Sequence, residues 1–579
     1  MTTKPTEIPV SPHERMPQQQ ISELLEKGLL DHQSGNLEKA RQMYLEILAI
    51  DPRHADCLHL LGLVFHQSGQ NEIALKMIHR AILRNPVNAT FHYSLGVVLL
   101  AEGKFSEAEA AFQQALDRNA NYYEALVNLG IVQKELGKIQ EARQVLERAL
   151  NLNPDSAEAL NNLGNVLLEL NQHDEAKACW ERALTLKPEF ADALNNLGSV
   201  HFQLGQLEEA MTCLEHALAL VPENVDALLN KGEILRRQGT LNQALACYQQ
   251  ALALKPEYLE AQWHHSLLQL QMGDFTSGWK GYECRHHRKN RPRTFSQPLW
   301  RGQPLMGARI LLHAEQGLGD SIQFLRYLPM VHAAGGTVLL DIPERLRRLA
   351  QELPGIDSLT TTGELLHAFD WHCPLMSLPL AFGTMVETIP AQVPYLTIPA
   401  EAARKAETLP FPSTGLRVGL AWAGRRERVL DQFRSINFAQ FEPLFDLKEI
   451  YFYSLQMGDG AEQLAHASIE ITELAPFTED MADTAAQMAQ LDLIITVDTS
   501  VAHLAGSLAR PTWLLLEHVP DWRWLHDRDD SPWYPTMRLF RQLEPGNWSA
   551  VFQHVRKELE ALIRNRSSLH LPPGLGQSK

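Results

Sequence analysis

The sequence contains no run of about 18 apolar residues, so no membrane-spanning helix is expected in it. Cysteine is scarce, with six in 579 residues, and no two form a CxxC pair. That removes the usual foothold for structural zinc or a dithiol redox site. Basic residues are outnumbered, and the formal net charge is −17. This excludes nucleic acid as a bulk partner, because gripping phosphate backbones takes a basic surface. Hydrophobic residues at 45% and charged residues at 21% exclude disorder or a collagen-like chain for the bulk. Residues 1–20 lack an apolar stretch and read as a disordered lead with no secretory signal. The expected setting is cytoplasmic, with reduced and largely buried thiols.

What is abundant is a period of 34 residues. Prolines recur at Pro52, Pro86, Pro154, Pro188, Pro222 and Pro256, with Ala120 in the one gap of the series. Glycines recur at Gly28, Gly62, Gly96, Gly130, Gly164, Gly198 and Gly232, and alanines from Ala40 to Ala244. Small residues at these places let two antiparallel helices approach closely, and proline closes the second helix because it cannot continue one. A second glycine series, Gly35, Gly69, Gly103, Gly137, Gly205, Gly239 and Gly273, ends each first helix. This is the tetratricopeptide pattern. Seven full repeats are expected over 21–258, and a degenerate eighth at about 259–287, where Ser266 and Gly278 replace the expected glycine and alanine. Cys179, Cys213 and Cys247 share one repeat position, too far apart for a disulfide between neighbours.

A solenoid of this kind offers an extended face for a peptide or protein. Asn128, Asn162, Asn196 and Asn230 stand two residues before the glycine of four successive repeats. Amides at one position make a ladder that can pair with a peptide backbone without reading its side chains. This resembles the asparagine ladder of O-GlcNAc transferases and implies acceptor binding. The alternative is that the amides only bridge neighbouring helices.

Beyond Tyr282 the pattern changes. The basic run 285–293 reads as a linker or interface strand. ARILLHAE, GTVLLDIP, IDSLTT and FDWHCPL then form one series of strand candidates, and LRVGLAWAG, EIYFYSLQ, ASIEITEL, LDLIITVD, PTWLLL and MRLFRQ a second. Strands alternating with helical stretches predict parallel sheets with crossover helices. The expected layout is a linker and first Rossmann-like lobe over 288–405, a second over 415–545, and a closing helix and tail over 546–579.

HAEQGLGDSIQFLRYLP and LDLIITVDTSVAHLAGSLARPTWLLL resemble the two signature regions of heptosyltransferase-like glycosyltransferases (family 9). Nearly the whole chain after residue 20 is similar to bacterial proteins that join tetratricopeptide repeats to such a domain. The resemblance implies an α-solenoid followed by an α/β GT-B fold, and a nucleotide-sugar donor.

Gln316-Gly317-Leu318-Gly319-Asp320 follows the first strand and opens a helix at the edge where open parallel sheets bind ligands. Gly317 and Gly319 would let a ligand approach closely. By resemblance Asp320 is the base that takes the acceptor proton; His313 and Glu315 are alternatives, and so is a bland helix-start carboxylate. A nicotinamide site is excluded, because Ile322 replaces the third glycine and Asp320 would repel a pyrophosphate. In the second lobe, Thr499 and Ser500 open the helix after LDLIITV, where free backbone N–H groups suit phosphate. Asp498 would accept bonds from a sugar or ribose hydroxyl, and His503 lies on the same helix face as Thr499. Heptosyltransferases usually carry glycine where this chain has Ser500. Trp422 and Ser435 flank the same edge, Gln456 is expected to reach the nucleoside, and Arg434 to neutralise the leaving diphosphate. Arg425, Arg426 and Arg428 compete for that role. The DxD within Asp527–Asp530 reads as a solvated loop, and no metal is expected.

The sequence therefore predicts an inverting, metal-independent glycosyltransferase moving a hexosyl or heptosyl group from a UDP-, GDP- or ADP-sugar to a protein or peptide held by the repeats. No other cofactor is expected, and homo-oligomerisation is a further expectation. A repeat scaffold with a vestigial transferase domain, or a transferase acting on a lipid or surface glycan, is the alternative.

Overall fold

A computed structural model describes residues 12–288, 293–412, 414–424, 434–467, 469 and 471–564. The chain divides into two compact units, Met1–Pro222 and Glu223–Lys579. No described helix is long and apolar enough to cross a membrane.

The first unit is six helical hairpins, from Pro12–Gln33 with Leu37–Ile50 to Ala191–Gln203 with Leu207–Leu220. Its first helix begins at Pro12, inside the stretch expected to be unstructured. The small residues act as their spacing implies. A Cβ on Gly130 would meet Leu146 at 2.6 Å, and one on Gly164 would meet Trp180 at 2.6 Å. Alanines 40, 74, 108, 142, 176 and 210 are wholly buried on the opposing helices. Gly35, Gly69, Gly103, Gly137 and Gly205 turn the chain with positive φ; in the fifth hairpin Asn171 does so at φ 58°. Asparagine is the side chain that best tolerates that region.

The second unit begins with two more hairpins, Val225–Arg237 with Leu241–Leu254 and Leu259–Gln271 with Phe275–Tyr282. The eighth is degenerate in a compensated way: Ser266 stands where glycine is expected, and the close approach is made from the other helix, where a Cβ on Gly281 would lie 2.8 Å from Ser266. The last two hairpins belong to the second compact unit, together with the α/β body that they pack into.

That body holds two parallel sheets among the described residues. The first has β1 (Arg309–His313), β2 (Thr337–Ile342), β3 (Ser358–Thr361) and β4 (Trp371–Pro374) in the order β3-β2-β1-β4. The second has β5 (Leu416–Ala421), β6 (Ile450–Ser454), β7 (Thr472–Glu473), β8 (Leu493–Val497), β9 (Thr512–Leu516) and β10 (Met537–Arg541). Its order, β10-β9-β8-β5-β6-β7, is that of a doubly wound sheet. Every strand candidate from the sequence contains a strand, though in ASIEITEL it is only the two residues of β7, and the closing helix is Trp548–Arg564. In both sheets the order reverses beside the central strand, and at such a switch point the strand ends leave a crevice for ligands.

Candidate functional site at the strand ends

The loops after β1 and β8 come together. The helix Leu318–Phe324 packs along the helix Ser500–Ser507. Gly319 makes this approach possible: a Cβ there would meet the His503 ring at 2.7 Å and the Ser500 Cα at 3.4 Å. Its close approach is thus to the second helix. Gly317 caps the first helix, with φ −73°.

Asp320 is held at both carboxylate oxygens. One accepts the Gly317 N–H at 2.8 Å, and the other is 2.5 Å from the Arg523 guanidinium. Arg523 is itself buried, donates to Gln323 at 2.7 Å and to Asp521 at 2.8 Å, and lies over Trp522. The two alternatives to Asp320 have other work. Glu315 makes a bidentate pair with Arg285 at 2.9 and 3.0 Å, both side chains being nearly fully buried. His313 is buried against His372 at 3.3 Å, and burial first, then the neighbouring cationic groups, pulls its pKa down to about 3.

Asp498 ends the β8 edge with its side chain 15% exposed, 3.9 Å from His503 Nε2. Burial first, and then the negative charge of Asp521, raise its carboxyl to about 6; the positive charges of Arg434 and Arg523 oppose the rise. The structure thus brings Arg434 within electrostatic reach of Asp498. His503 donates or accepts at Tyr534 Oη at 2.9 Å and stacks on Trp524. Burial, followed by the charges of Arg523, Arg326 and Arg434, drives its pKa well below the ordinary imidazole range, so it is neutral. Thr499 stands at the N-cap of its helix in an extended conformation and makes no side-chain cap. Thr499 Oγ1 and Gln323 Nε2 are buried and have no hydrogen-bond partner. Orphaned polar atoms of this kind cost free energy unless a ligand or water meets them.

Two expected ligand contacts are committed to the fold. Gln456 accepts from the N–H groups of Trp422 and Ala423 at 2.9 and 3.0 Å, and donates to the carbonyls of Ala423 and Asp459. A buried amide so used staples the β5 and β6 ends and does not reach for a nucleoside. Trp422 is fully buried, packed against the tilted ring of Phe438 at 4.6 Å, and donates to the Gly460 carbonyl. Ser435 accepts the Gly424 N–H. Arg425, Arg426 and Arg428 lie outside the described residues. In the 527–530 loop, Arg528 pairs with Asp530 at 2.6 Å.

On the repeats, Asn128 donates to Tyr93 at 3.2 Å and Asn196 to Asn161 at 2.9 Å, each across one hairpin step. Asn162 is half-buried at the same position of its hairpin. Asn230 belongs to the second unit. Two ladder amides thus bridge neighbouring helices while keeping a second donor and an acceptor.

Arg523, Asp521, Trp524, Tyr534 and Arg285 escaped sequence reasoning. Nothing in a linear pattern says which arginine of a basic run or of a Trp-rich loop turns inward.

With the geometry in place, comparison with known proteins defines the class of the first half. Models described as tetratricopeptide repeats match residues 59–124, 99–161, 134–184, 164–205 and 189–257. The N-terminal part is a tetratricopeptide-repeat array. Among individual proteins, Protein FlbA of Caulobacter vibrioides is 28% identical over 330 residues, covering 52% of this chain and 54% of FlbA. The chain thus spans about half the length of the curated relative it matches. A tetratricopeptide repeat protein from Parabacteroides merdae is 18% identical, covering 43% of this chain and 99% of its own, with a TM-score of 0.39. YrrB, a TPR protein with an unusual peptide-binding site, is 23% identical over 32% of this chain and 95% of its own, with a TM-score of 0.26.

Proposed function

We propose that the protein is a glycosyltransferase with two Rossmann-like lobes in the GT-B manner. It moves a sugar from a nucleotide sugar to a protein or peptide held by the repeats, with inversion and without a metal. The carrying observation is the meeting of the β1 and β8 loops, where an uncapped helix start with an orphaned Thr499 Oγ1 follows Asp498 and Arg434 is in electrostatic reach of that carboxylate. Helix N–H groups and an arginine suit the diphosphate leaving group. The acceptor oxygen attacks the anomeric carbon, the nucleoside diphosphate leaves, and a carboxylate takes the acceptor proton. Asp320 fills that role if Arg523 yields its bond. Asp498, poised near neutrality, is the second carboxylate at hand.

Incubation with UDP-, GDP- and ADP-sugars and candidate acceptor proteins, followed by intact-mass analysis, tests this. Transfer or donor hydrolysis is expected with one donor class; neither with any class contradicts the reading. One observation favours a non-catalytic scaffold instead: both oxygens of Asp320 are already engaged. On that reading, no nucleoside diphosphate binds.

A further inference from the structure

Between the last two hairpins and the site runs the segment 517–528. Its only helical turn is the three residues Trp522–Trp524. Leu525 and Asp527 adopt positive φ, 54° and 55°. Side chains with a Cβ rarely hold that region unless their surroundings impose it. The shape of the segment is therefore set from outside.

Two of the outside contacts come from one repeat position. Arg237 and Gln271 are equivalent residues of the seventh and eighth hairpins, 34 apart, each two residues before the turn glycine. Arg237 Nη1 lies 2.5 Å from Glu517, and Gln271 Nε2 donates to the Pro520 carbonyl at 2.9 Å in a buried setting. Trp279 of the eighth hairpin stands edge-on to Trp522 at 5.1 Å. The far end is tied by Arg541, which donates to the carbonyls of Trp524, Leu525 and Arg528. The inner side of the segment carries the Arg523 that clamps Asp320 and the Trp524 that stacks on His503. At the same position in hairpins two to six stand Gln67, Ala101, Glu135, Glu169 and Gln203.

We infer that Arg237 and Gln271 are positioning residues: through Glu517 and Pro520 they fix where Arg523 and Trp524 stand against Asp320, Asp498 and His503. The last two repeats are then a wall of the site and not merely a cradle for an acceptor. The inference deepens the proposed function but rests on it only for the ligand arm of its test.

The test uses the full chain, its Arg237→Gln and Gln271→Leu variants, and hydrogen exchange read by mass spectrometry. Exchange should rise about tenfold in peptides covering 517–528 and 318–324, and stay unchanged in 493–497 and in the first six hairpins. Gln271→Leu leaves no unpaired charge, so it decides the matter if Arg237→Gln unfolds the unit through an uncompensated Glu517. The affinity for ADP, GDP and UDP should fall about tenfold in both variants, with its pH midpoint displaced as Arg523 moves relative to Asp498. Unchanged exchange over 517–528 in Gln271→Leu overturns the inference, and so does an equal rise throughout the second unit. If the wild type binds none of the three diphosphates, the transferase reading fails while the exchange result still decides the positioning role.

Discussion

The first six hairpins and the last two are built on one template yet carry different loads. In the first six, polar positions of the first helices bond within the array, as Asn196 does to Asn161 and His59 to Ser94 at 2.8 Å. In the last two, the corresponding face holds a buried ionic network. Glu233 binds Arg236 at 2.5 Å and His264 at 3.2 Å, and Arg237 reaches out to Glu517. Buried charges are tolerated only when paired and hydrogen-bonded, so these hairpins depend on the α/β body and it on them. Thus a repeat period does not by itself mark a domain: the unit ends where polar residues change their partners.

The largest effect that would break this comparison comes from cutting the chain. A protein starting at Glu223 should melt cooperatively as the second unit. One starting at 288 should show no cooperative transition, because it loses Trp279, Tyr282 and Arg285 and leaves Glu315 and Glu517 buried without their arginines. Deleting 21–258 would likewise damage the cleft, because it removes Arg237. Circular dichroism melts of the two truncations decide the point; equal stability would show that the α/β body does not need the last two hairpins.

Next in size is Arg285→Met. Stripping Glu315 of its bidentate partner should cost the second unit about 3–5 kcal/mol, read by urea denaturation, while the first unit keeps its midpoint. Gly164→Val should do the converse. Driving a side chain into Trp180 should cost the first unit about 1–3 kcal/mol and spare the second.

Asp498→Asn sharpens the comparison through pH. The folded carboxyl is raised to about 6, so the folded state binds the extra proton and loses stability as pH rises from the unfolded value toward 6. The asparagine variant should gain about 1–2 kcal/mol over wild type above pH 7 and little at pH 4. The second unit's melting temperature measured across that range checks the sign. The smallest effect is expected at Asn171→Gly. Glycine meets no penalty at φ 58°, and the first unit should gain a few tenths of a kcal/mol at most, since the unfolded chain also gains freedom.

Much of this architecture was legible in the sequence. The 34-residue period placed every hairpin, because close helix contacts demand small residues at fixed spacing. The two strand series placed both sheets, since β-branched and aromatic runs between turn residues leave few alternatives. The β1 and β8 loops were legible as chemistry because glycine, acid and hydroxyl cluster at strand ends. Their partners were not. Arg523 lies two hundred residues from Gln323, and only the folded chain shows that it clamps Asp320. Gln456 looked like a ligand contact because it ends a strand, yet the local backbone needed its amide more. That the seventh and eighth hairpins belong with the α/β body is not legible in the sequence, because both keep the helical period of the others while their surface changes partner.

The proposed diphosphate site is tested most directly by calorimetry of ADP, GDP and UDP with the intact chain and its Arg434→Ala variant. Micromolar affinity is expected for at least one diphosphate, weakened at least about tenfold in the variant, since one arginine–phosphate contact carries on the order of 1.5–3 kcal/mol. No binding of any of the three, or equal binding by the variant, would contradict a diphosphate site between the β1 and β8 loops.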